Sequence, residues 1–249
     1  MLRARAAQFQ AGKTDFFDRQ LTRTDRNGKL AGAAAPLANW ASKRSNAATR
    51  GLLEGIAGVH RDVELPRFHG NTFVKRAATP PSVASRAPAA GRKAVLYATC
   101  FVNYNSPGIG EAARAVLAHN GVETEVVYPE CCGMPQLEQG DLGDVAGRAR
   151  RIAAEMASWI ELGYAIVALT PSCALMLKFE WPLILFGDGA VARLAEATCD
   201  ISEYIVDIAK NEGLAPGLTP LAGGVALHLA CHARAQNMGP KAAEMLRLI

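Results

Sequence analysis

The chain has 249 residues, 50% of them hydrophobic, and a formal net charge of +4 at pH 7. This modest charge does not indicate nucleic-acid binding, and the most basic stretch, Arg148-Ala149-Arg150-Arg151, is expected on the solvated face of a helix. No apolar run reaches the ~18 residues of a membrane span, and no signal-peptide core follows Met1, so a cytoplasmic location is expected.

Residues 1–92 are expected to form an irregular, partly helical arm, because turn signals are frequent and periodicity is weak. The best helical segment runs from Leu37 to about Ala57. The stretch from Pro80 to Gly91 is typical of a flexible linker. An apolar stripe on the helical segment is expected to dock on the main domain or on a partner; it consists of Leu37, Trp40, Leu52, Leu53 and Ile56.

A βαβα pattern follows the linker. Its apolar runs are continuous, as is typical of strands in a parallel sheet, so the predicted fold class is α/β with a doubly wound parallel sheet preceded by the arm. The predicted strands are Ala94–Thr99, Val122–Tyr128 and Ala165–Thr170, and the predicted helices are Gly108–Asn120 and Asp144–Leu162.

Four of the six cysteines lie just after these strands: Cys100, the adjacent pair Cys131 and Cys132, and Cys173. Ligands of doubly wound sheets bind outside the carboxyl ends of the strands, so the four thiols are expected to converge there. Adjacent cysteines cannot easily bridge each other, but both can bind one metal centre. Four thiolates suit either an iron–sulfur cluster or tetrahedral zinc.

The two remaining cysteines are given different roles. Cys199 lies in a helical-looking stretch and is expected to be a packing residue. Cys231 follows an apolar run, Ala226–Ala230, that repeats the pattern of Val95–Cys100, which predicts the start of a second copy of the unit with Cys231 as a possible ligand. Zinc binding by Cys231 with His228 and His232 is a weaker alternative.

The cysteine spacing also resembles a known family. Cys100, then Cys131-Cys132-Gly133, then Cys173 is similar to the CCG, or cysteine-rich, domain of Fe–S oxidoreductase subunits, as found in heterodisulfide reductase, glycolate oxidase and anaerobic glycerol-3-phosphate dehydrogenase. The likeness extends over almost the whole chain and is closest to the last of these enzymes. It includes the segments Asp18–Leu30, Cys131–Leu142, Thr170–Cys173 and Cys231–Gly239.

Members of this family usually carry a ferredoxin-like domain before two complete cysteine-rich units. The resemblance therefore implies that this chain is an internal piece of a longer protein, because no cysteine precedes Cys100 and the paired cysteines of a second unit would fall beyond Ile249. The expected division is residues 1–92 as arm and linker, 93–222 as the first cysteine-rich unit, and 223–249 as the start of a second, incomplete unit.

The resemblance implies an iron–sulfur electron-transfer subunit that relays electrons from a dehydrogenase partner to an acceptor such as quinone, in a complex at the inner face of the membrane. Cys100, Cys131, Cys132 and Cys173 would be the ligands of a [4Fe–4S] cluster. Met176 stands where heterodisulfide reductase has a further thiol, which disfavours a non-cubane centre with five thiolates.

Two alternatives stay open: a thiol/disulfide reductase of the heterodisulfide reductase type, and a zinc-stabilised interaction module. No residue is assigned as catalytic. Gly133 is expected to let the backbone pass close to the metal centre and donate N–H groups to sulfur. Ser172 is expected to cap a helix that begins near Cys173.

Overall fold

A computed structural model of the chain describes residues 2–248. Its centre is a sheet of four parallel strands in the order β2-β1-β3-β4, which are β1 (Lys93–Tyr97), β2 (Glu123–Val127), β3 (Ala165–Ala168) and β4 (Thr198–Asp200). The three predicted strands are present, each ending one or two residues earlier than expected. No helix within residues 2–248 is both long enough and apolar enough to cross a bilayer.

The arm is more helical than the sequence predicts. The expected helix from Leu37 to Ala57 is interrupted at Lys43–Asn46, where Asn46 accepts a hydrogen bond from Thr49 and starts a new helix. The arm contains six helices: α1 (Leu2–Gln10), α2 (Phe16–Leu21), α3 (Thr24–Ala33), α4 (Ala35–Ser42), α5 (Ala47–Ala57) and α6 (Phe73–Arg76).

The helices after the arm follow the strands in alternation. They are α7 (Cys100–Tyr104), α8 (Pro107–His119), α9 (Met134–Gln139), α10 (Leu142–Glu161), α11 (Pro171–Leu175), α12 (Trp181–Ile184), α13 (Gly189–Ala197), α14 (Ile201–Asn211), α15 (Cys231–Ala235) and α16 (Lys241–Leu246), with a π-helical turn at Met176–Glu180 between α11 and α12.

A hydrophobic core lies on each face of the sheet. On one face α10 and α13 pack against Val95 and Tyr97 of β1, and on the other α8 and α14 pack against Ala94 and Leu96. Successive residues of a strand point to opposite faces, so a strand covered on both sides must be apolar throughout, as β1 is after Lys93. The predicted doubly wound α/β class is therefore confirmed.

The first part of the arm is closely packed on this domain. A Cβ atom on Gly28 of α3 would lie 2.3 Å from the ring of Tyr104, and one on Gly70 would lie 2.9 Å from the carbonyl oxygen of Gly32. The backbone N–H of His69 donates to the carbonyl oxygen of Tyr104 at 2.8 Å. These approaches are possible because glycine has no side chain.

The predicted apolar stripe does not dock on the domain. Leu37, Trp40, Leu52 and Ile56 are all more than half exposed. Docking of this stripe on a partner stays a prediction. The predicted linker is irregular, but it is held to the end of α8, because the N–H of Ala89 donates to the carbonyl oxygen of Asn120 and Ala89 is buried.

The prediction that Cys199 lies in a helix is wrong. It lies on β4, in register with Val167 of β3, because α13 ends at Ala197. The second apolar run, Ala226–Ala230, forms no strand within the described residues, although Cys231 does begin a short helix. The proposed domain division stays a prediction; its outermost residues, Met1 and Ile249, lie outside the described part of the chain.

Candidate metal centre

The four predicted ligands follow three neighbouring strands. Cys100 begins α7 directly after β1, Cys131 and Cys132 follow β2, and Cys173 lies in α11 after β3. Since β1 pairs with β2 on one side and with β3 on the other, and all three run parallel, their carboxyl ends lie side by side. The topology brings these four cysteines to one edge of the sheet.

The four thiols are in contact. The Sγ atoms of Cys100 and Cys131 are 3.7 Å apart, and those of Cys132 and Cys173 are 3.2 Å apart. A side-chain hydrogen bond also joins Cys131 to Cys132, so the sulfurs form a continuous row. Cys131, Cys132 and Cys173 are buried and Cys100 is half-buried.

The hydrogen bonds of the row concentrate negative charge on Cys131. Bonds from Cys100 and Cys132 lower the pKa of the Cys131 thiol well below its ordinary value, although burial acts in the opposite direction. The same bonds, together with burial, raise the pKa of Cys100 and of Cys132. These bonds favour the thiolate form of Cys131, which is the form that binds metals.

Two aromatic side chains hold the loop of Cys131 and Cys132 by hydrogen bonds to its backbone. The hydroxyl of Tyr97 donates to the carbonyl oxygen of Glu130 at 2.6 Å, and the indole N–H of Trp181 donates to the carbonyl oxygen of Cys132 at 3.1 Å. Both aromatic side chains are fully buried. The backbone that carries the two thiols is therefore part of the core.

The expected N–H donation from Gly133 to sulfur is present, whereas its close approach to a metal centre stays a prediction. Gly133 has a φ of +85°, a left-handed conformation that favours glycine, and its backbone N–H bonds the Cys131 thiol and lowers its pKa. The expectation for Ser172 is wrong. Helix α11 begins at Pro171, so Ser172 lies in the first turn, and Thr170 at the cap position makes no side-chain cap bond.

Sequence reasoning missed a contribution from the arm. Both carboxylate oxygens of Asp25, in the first turn of α3, accept the backbone N–H of Cys131 at 3.0 Å. Asp25 also accepts a hydrogen bond from the hydroxyl of Tyr128. The available sequence signal was the segment Asp18–Leu30, which is part of the family likeness but indicated no role for any single residue.

The prediction of a solvated arginine face on α10 is wrong for Arg148. Its Nη1 lies 2.8 Å from Asp25 and its Nε lies 2.7 Å from Asp144, and its side chain is only 13% exposed. Burial lowers the pKa of Arg148, but these two carboxylates outweigh it and raise the pKa. Arg150 and Arg151 are exposed as predicted.

Cys199 and Cys231 stand apart from the row. Cys199 is half-buried in the core on the α8 and α14 face, as expected of a packing residue, and burial raises its pKa to about 11. Cys231 is exposed. No hydrogen bond joins either thiol to the other four within the described residues.

The chemistry of the donor set fits a metal–sulfur group. Within residues 2–248, no three Cys, His, Asp or Glu side chains are already arranged to hold a single metal ion, because the thiols contact one another in pairs. The hydroxyl of Thr24 faces Cys100 and Cys131, is buried, and makes no hydrogen bond of standard geometry. A buried donor without an acceptor beside thiols is suited to a neighbouring anionic sulfur.

Comparison with known proteins identifies this region. Residues 94–178 match the cysteine-rich domain family, CCG. This segment runs from β1 into the π-helical turn and contains all four thiols of the row. The six arm helices, α1 to α6, precede the matched segment.

The similarity to curated proteins extends beyond this domain. A subunit of anaerobic glycerol-3-phosphate dehydrogenase from Escherichia coli (strain K12) is 27% identical over 237 residues, which cover 92% of this chain and 56% of that protein. The chain thus spans about half the length of this relative.

Two further relatives match about half of the chain. Lactate utilization protein A of Exiguobacterium sp. is 28% identical over 120 residues, 45% of this chain and 47% of that protein. A subunit of fumarate reductase (CoM/CoB) from Methanothermobacter marburgensis is 30% identical over 122 residues, 47% of this chain and 22% of that protein. No solved structure matches the chain. The predicted relationship to CCG-family Fe–S oxidoreductase subunits is confirmed.

Proposed function

We propose that this chain is an iron–sulfur electron-transfer subunit of an oxidoreductase, with Cys100, Cys131, Cys132 and Cys173 as the cluster ligands. The observation that carries the proposal is the convergence of these four thiols at one sheet edge, with three of them buried. Thiols that contact one another in a core are suited to holding a metal group.

Four cysteine thiolates complete the ligand shell of a [4Fe–4S] cluster, so this cluster type is favoured. Such a cluster, held by these four cysteines, would supply one-electron transfer. The protein would supply the four thiolates, with the pKa of Cys131 already lowered, and the Gly133 N–H that stabilises charge on the Cys131 sulfur. Cluster binding requires the paired sulfurs to separate and to release their protons.

A five-thiolate centre is not favoured. Met176, at the position of the further thiol, is fully buried in the hydrophobic core, and its neutral thioether is a weak ligand for iron. Of the two remaining cysteines, Cys199 lies in the other core and Cys231 is exposed.

The proposed partners are a dehydrogenase subunit as electron donor and an acceptor such as quinone. Support comes from the names of the relatives, one a subunit of glycerol-3-phosphate dehydrogenase and one a subunit of fumarate reductase. Peripheral association with a membrane is part of this proposal, and a partner surface on the exposed stripe of α4 and α5 would be compatible with it.

The two alternatives receive less support. In tetrahedral zinc sites with Zn–S bonds of about 2.3 Å, sulfurs lie about 3.8 Å apart. The Cys100–Cys131 pair has this spacing, and the Cys132–Cys173 pair, at 3.2 Å, would have to separate for zinc as it would for a cluster. The preference for the cluster therefore rests on the names of the relatives, which include a dehydrogenase subunit and a reductase subunit. A disulfide reductase needs an accessible nucleophile, whereas Cys131, the thiol whose pKa is lowered, is only 1% exposed.

Metal analysis tests the proposal. The chain is reconstituted anaerobically with iron and sulfide, and we expect a brown protein with about four irons and four sulfides. Cys132→Ser should lose most of the iron, whereas the matched variant Cys199→Ala should keep it. A colourless protein that binds stoichiometric zinc and no iron would contradict the proposal.

A further inference from the structure

A partly buried ion pair connects the arm to the cysteine row. Asp25 of α3 and Arg148 of α10 are 2.8 Å apart, and their side chains are only 19% and 13% exposed. Removing two charges from water costs free energy, so a buried pair needs further hydrogen bonds to be stable. Here those bonds lead to the backbone of a proposed cluster ligand.

Asp25 is the centre of these bonds. Its carboxylate accepts the N–H of Cys131 at 3.0 Å, the hydroxyl of Tyr128, and the guanidinium of Arg148. Arg148 also donates to the carbonyl oxygen of Cys131 at 3.4 Å. The two side chains therefore bond the backbone N–H and the carbonyl oxygen of Cys131 and hold this residue in place.

Helix α3 is positioned closely enough to keep Asp25 in this place. Tyr104 fills the space that a side chain on Gly28 would need, and its ring packs edge-on against Tyr128 with centroids 5.7 Å apart. Gln136 fixes the residues before α3, because its side-chain amide donates to the carbonyl oxygen of Thr22 at 2.6 Å. The pair is thus preorganised by packing on both sides.

The two charges act in opposite directions on a redox centre. Reduction adds negative charge, which a nearby carboxylate disfavours and a nearby guanidinium favours. Arg148 forms ion pairs with three carboxylates: those of Asp25 and Asp144, and that of Glu130 at 3.2 Å. Charge and hydrogen bonding around a cluster are among the factors that determine its potential.

We infer that the Asp25–Arg148 pair sets the reduction potential of the proposed cluster, with Asp25 lowering it and Arg148 raising it. Both are positioning residues that act through Cys131. The inference rests on the proposed function. It also makes the arm, which lies outside the family match to residues 94–178, a functional part of the site.

An EPR-monitored redox titration of the reconstituted full chain tests this. For Asp25→Asn we expect a roughly tenfold larger ratio of reduced to oxidised cluster at a fixed potential, which is about 59 mV for one electron. For Arg148→Met we expect a change of similar size in the opposite direction. The double variant should titrate close to the native protein.

The chain offers a matched control on the same helix. Arg150 of α10 forms an exposed pair with Asp188 at 3.2 Å, at the N-terminus of α13. Arg150→Met and Asp188→Asn should leave the titration unchanged. Arg148→Lys, which keeps the charge, should titrate close to the native protein.

Three results are distinguishable. If the native chain binds no cluster, the proposed function fails. If Asp25→Asn and Arg148→Met keep the cluster but titrate like the native protein, or shift in the same direction, the inference fails while the function stands. If both variants lose iron while retaining native thermal unfolding and circular dichroism, the pair only holds the ligand loop, and the inference is overturned.

Discussion

Two segments of this chain share a local pattern but have different surroundings. An apolar run, a cysteine and a short helix occur at residues 95–104 and again at residues 226–235. In the first segment the run belongs to β1, where Val95 is fully buried. In the second segment no strand forms among the described residues, and Leu227 is 41% exposed.

The helices that follow the two apolar runs, α7 and α15, also differ in how their first turns are capped. The side-chain oxygen of Thr99 accepts the N–H of Val102 and caps α7, whereas Ala230, which precedes α15, has no side-chain oxygen to do so. Cys100 joins the row of thiols and Cys231 is exposed. In this chain the cysteine after an apolar run joins the thiol row only in the segment whose run pairs with a strand on each side, β2 and β3.

The largest expected effect comes from placing a charge in each run. Val95→Asp should lower the free energy of unfolding by about 4 kcal/mol or more, because an unpaired carboxylate would be buried in the central strand. Leu227→Asp should change it by about 0.5 kcal/mol or less. Urea unfolding monitored by circular dichroism measures both. Equal losses would show that the second run is as buried as the first.

The rates at which Cys231 and Cys132 react with a thiol reagent test their difference in exposure. In the metal-free protein, Cys231 should react with a maleimide on the order of 100-fold faster than Cys132, because a buried thiol reacts only after local opening. Mass spectrometry of peptides from timed samples gives the rates. In guanidinium chloride the two rates should converge; comparable rates in the native protein would contradict the burial of Cys132 in the thiol row and the exposure of Cys231.

A pair of glycine variants tests the packing around the first segment. Gly28→Ala should destabilise the protein by about 1–3 kcal/mol, because the added methyl group meets the Tyr104 ring. Gly51→Ala, on the neighbouring arm helix α5, has open space at this position and should stabilise by about 0.5–1 kcal/mol. Thermal unfolding distinguishes the signs. A stabilising Gly28→Ala would mean that α3 is not docked on Tyr104.

The smallest expected effect is a pH dependence at Cys199. Burial raises the pKa of this thiol to about 11, so it is almost entirely protonated at about pH 8. Because only the thiolate reacts, its alkylation rate by iodoacetamide should rise about tenfold per pH unit between about pH 8 and 10. A rate that levels off below about pH 9 would place Cys199 in a more exposed environment than β4 provides.

Much of the domain could be predicted because its signals are local. Continuous apolar runs located β1, β2 and β3, and the strand-end rule of parallel sheets brought Cys100, Cys131, Cys132 and Cys173 together. Gly133 could be predicted for the same reason, since a left-handed turn restricts residue type at a single position. The four-thiol row is thus a consequence of sequence order and strand direction.

The errors concern residues whose environment is made by distant parts of the chain. Cys199 lies on a strand because β3 offers a free edge for pairing, which outweighs the helical pattern of its neighbours. Arg148 is partly buried because Asp25, far from it in the sequence, provides an opposite charge at 2.8 Å. The residues around Cys199 do not indicate pairing with β3, and those around Arg148 do not indicate pairing with Asp25.

Periodicity and strand order along the chain are thus sufficient to specify a doubly wound sheet and a row of thiols at its edge. Whether a given apolar run joins that sheet, and which charges surround the thiols, depends on tertiary packing, because burial and electrostatic pairing are set by distance in space. Residues 226–230 have the apolar pattern of a strand, but no strand pairs with them among the described residues. Asp25 and Arg148 form an ion pair that no local sequence pattern predicts.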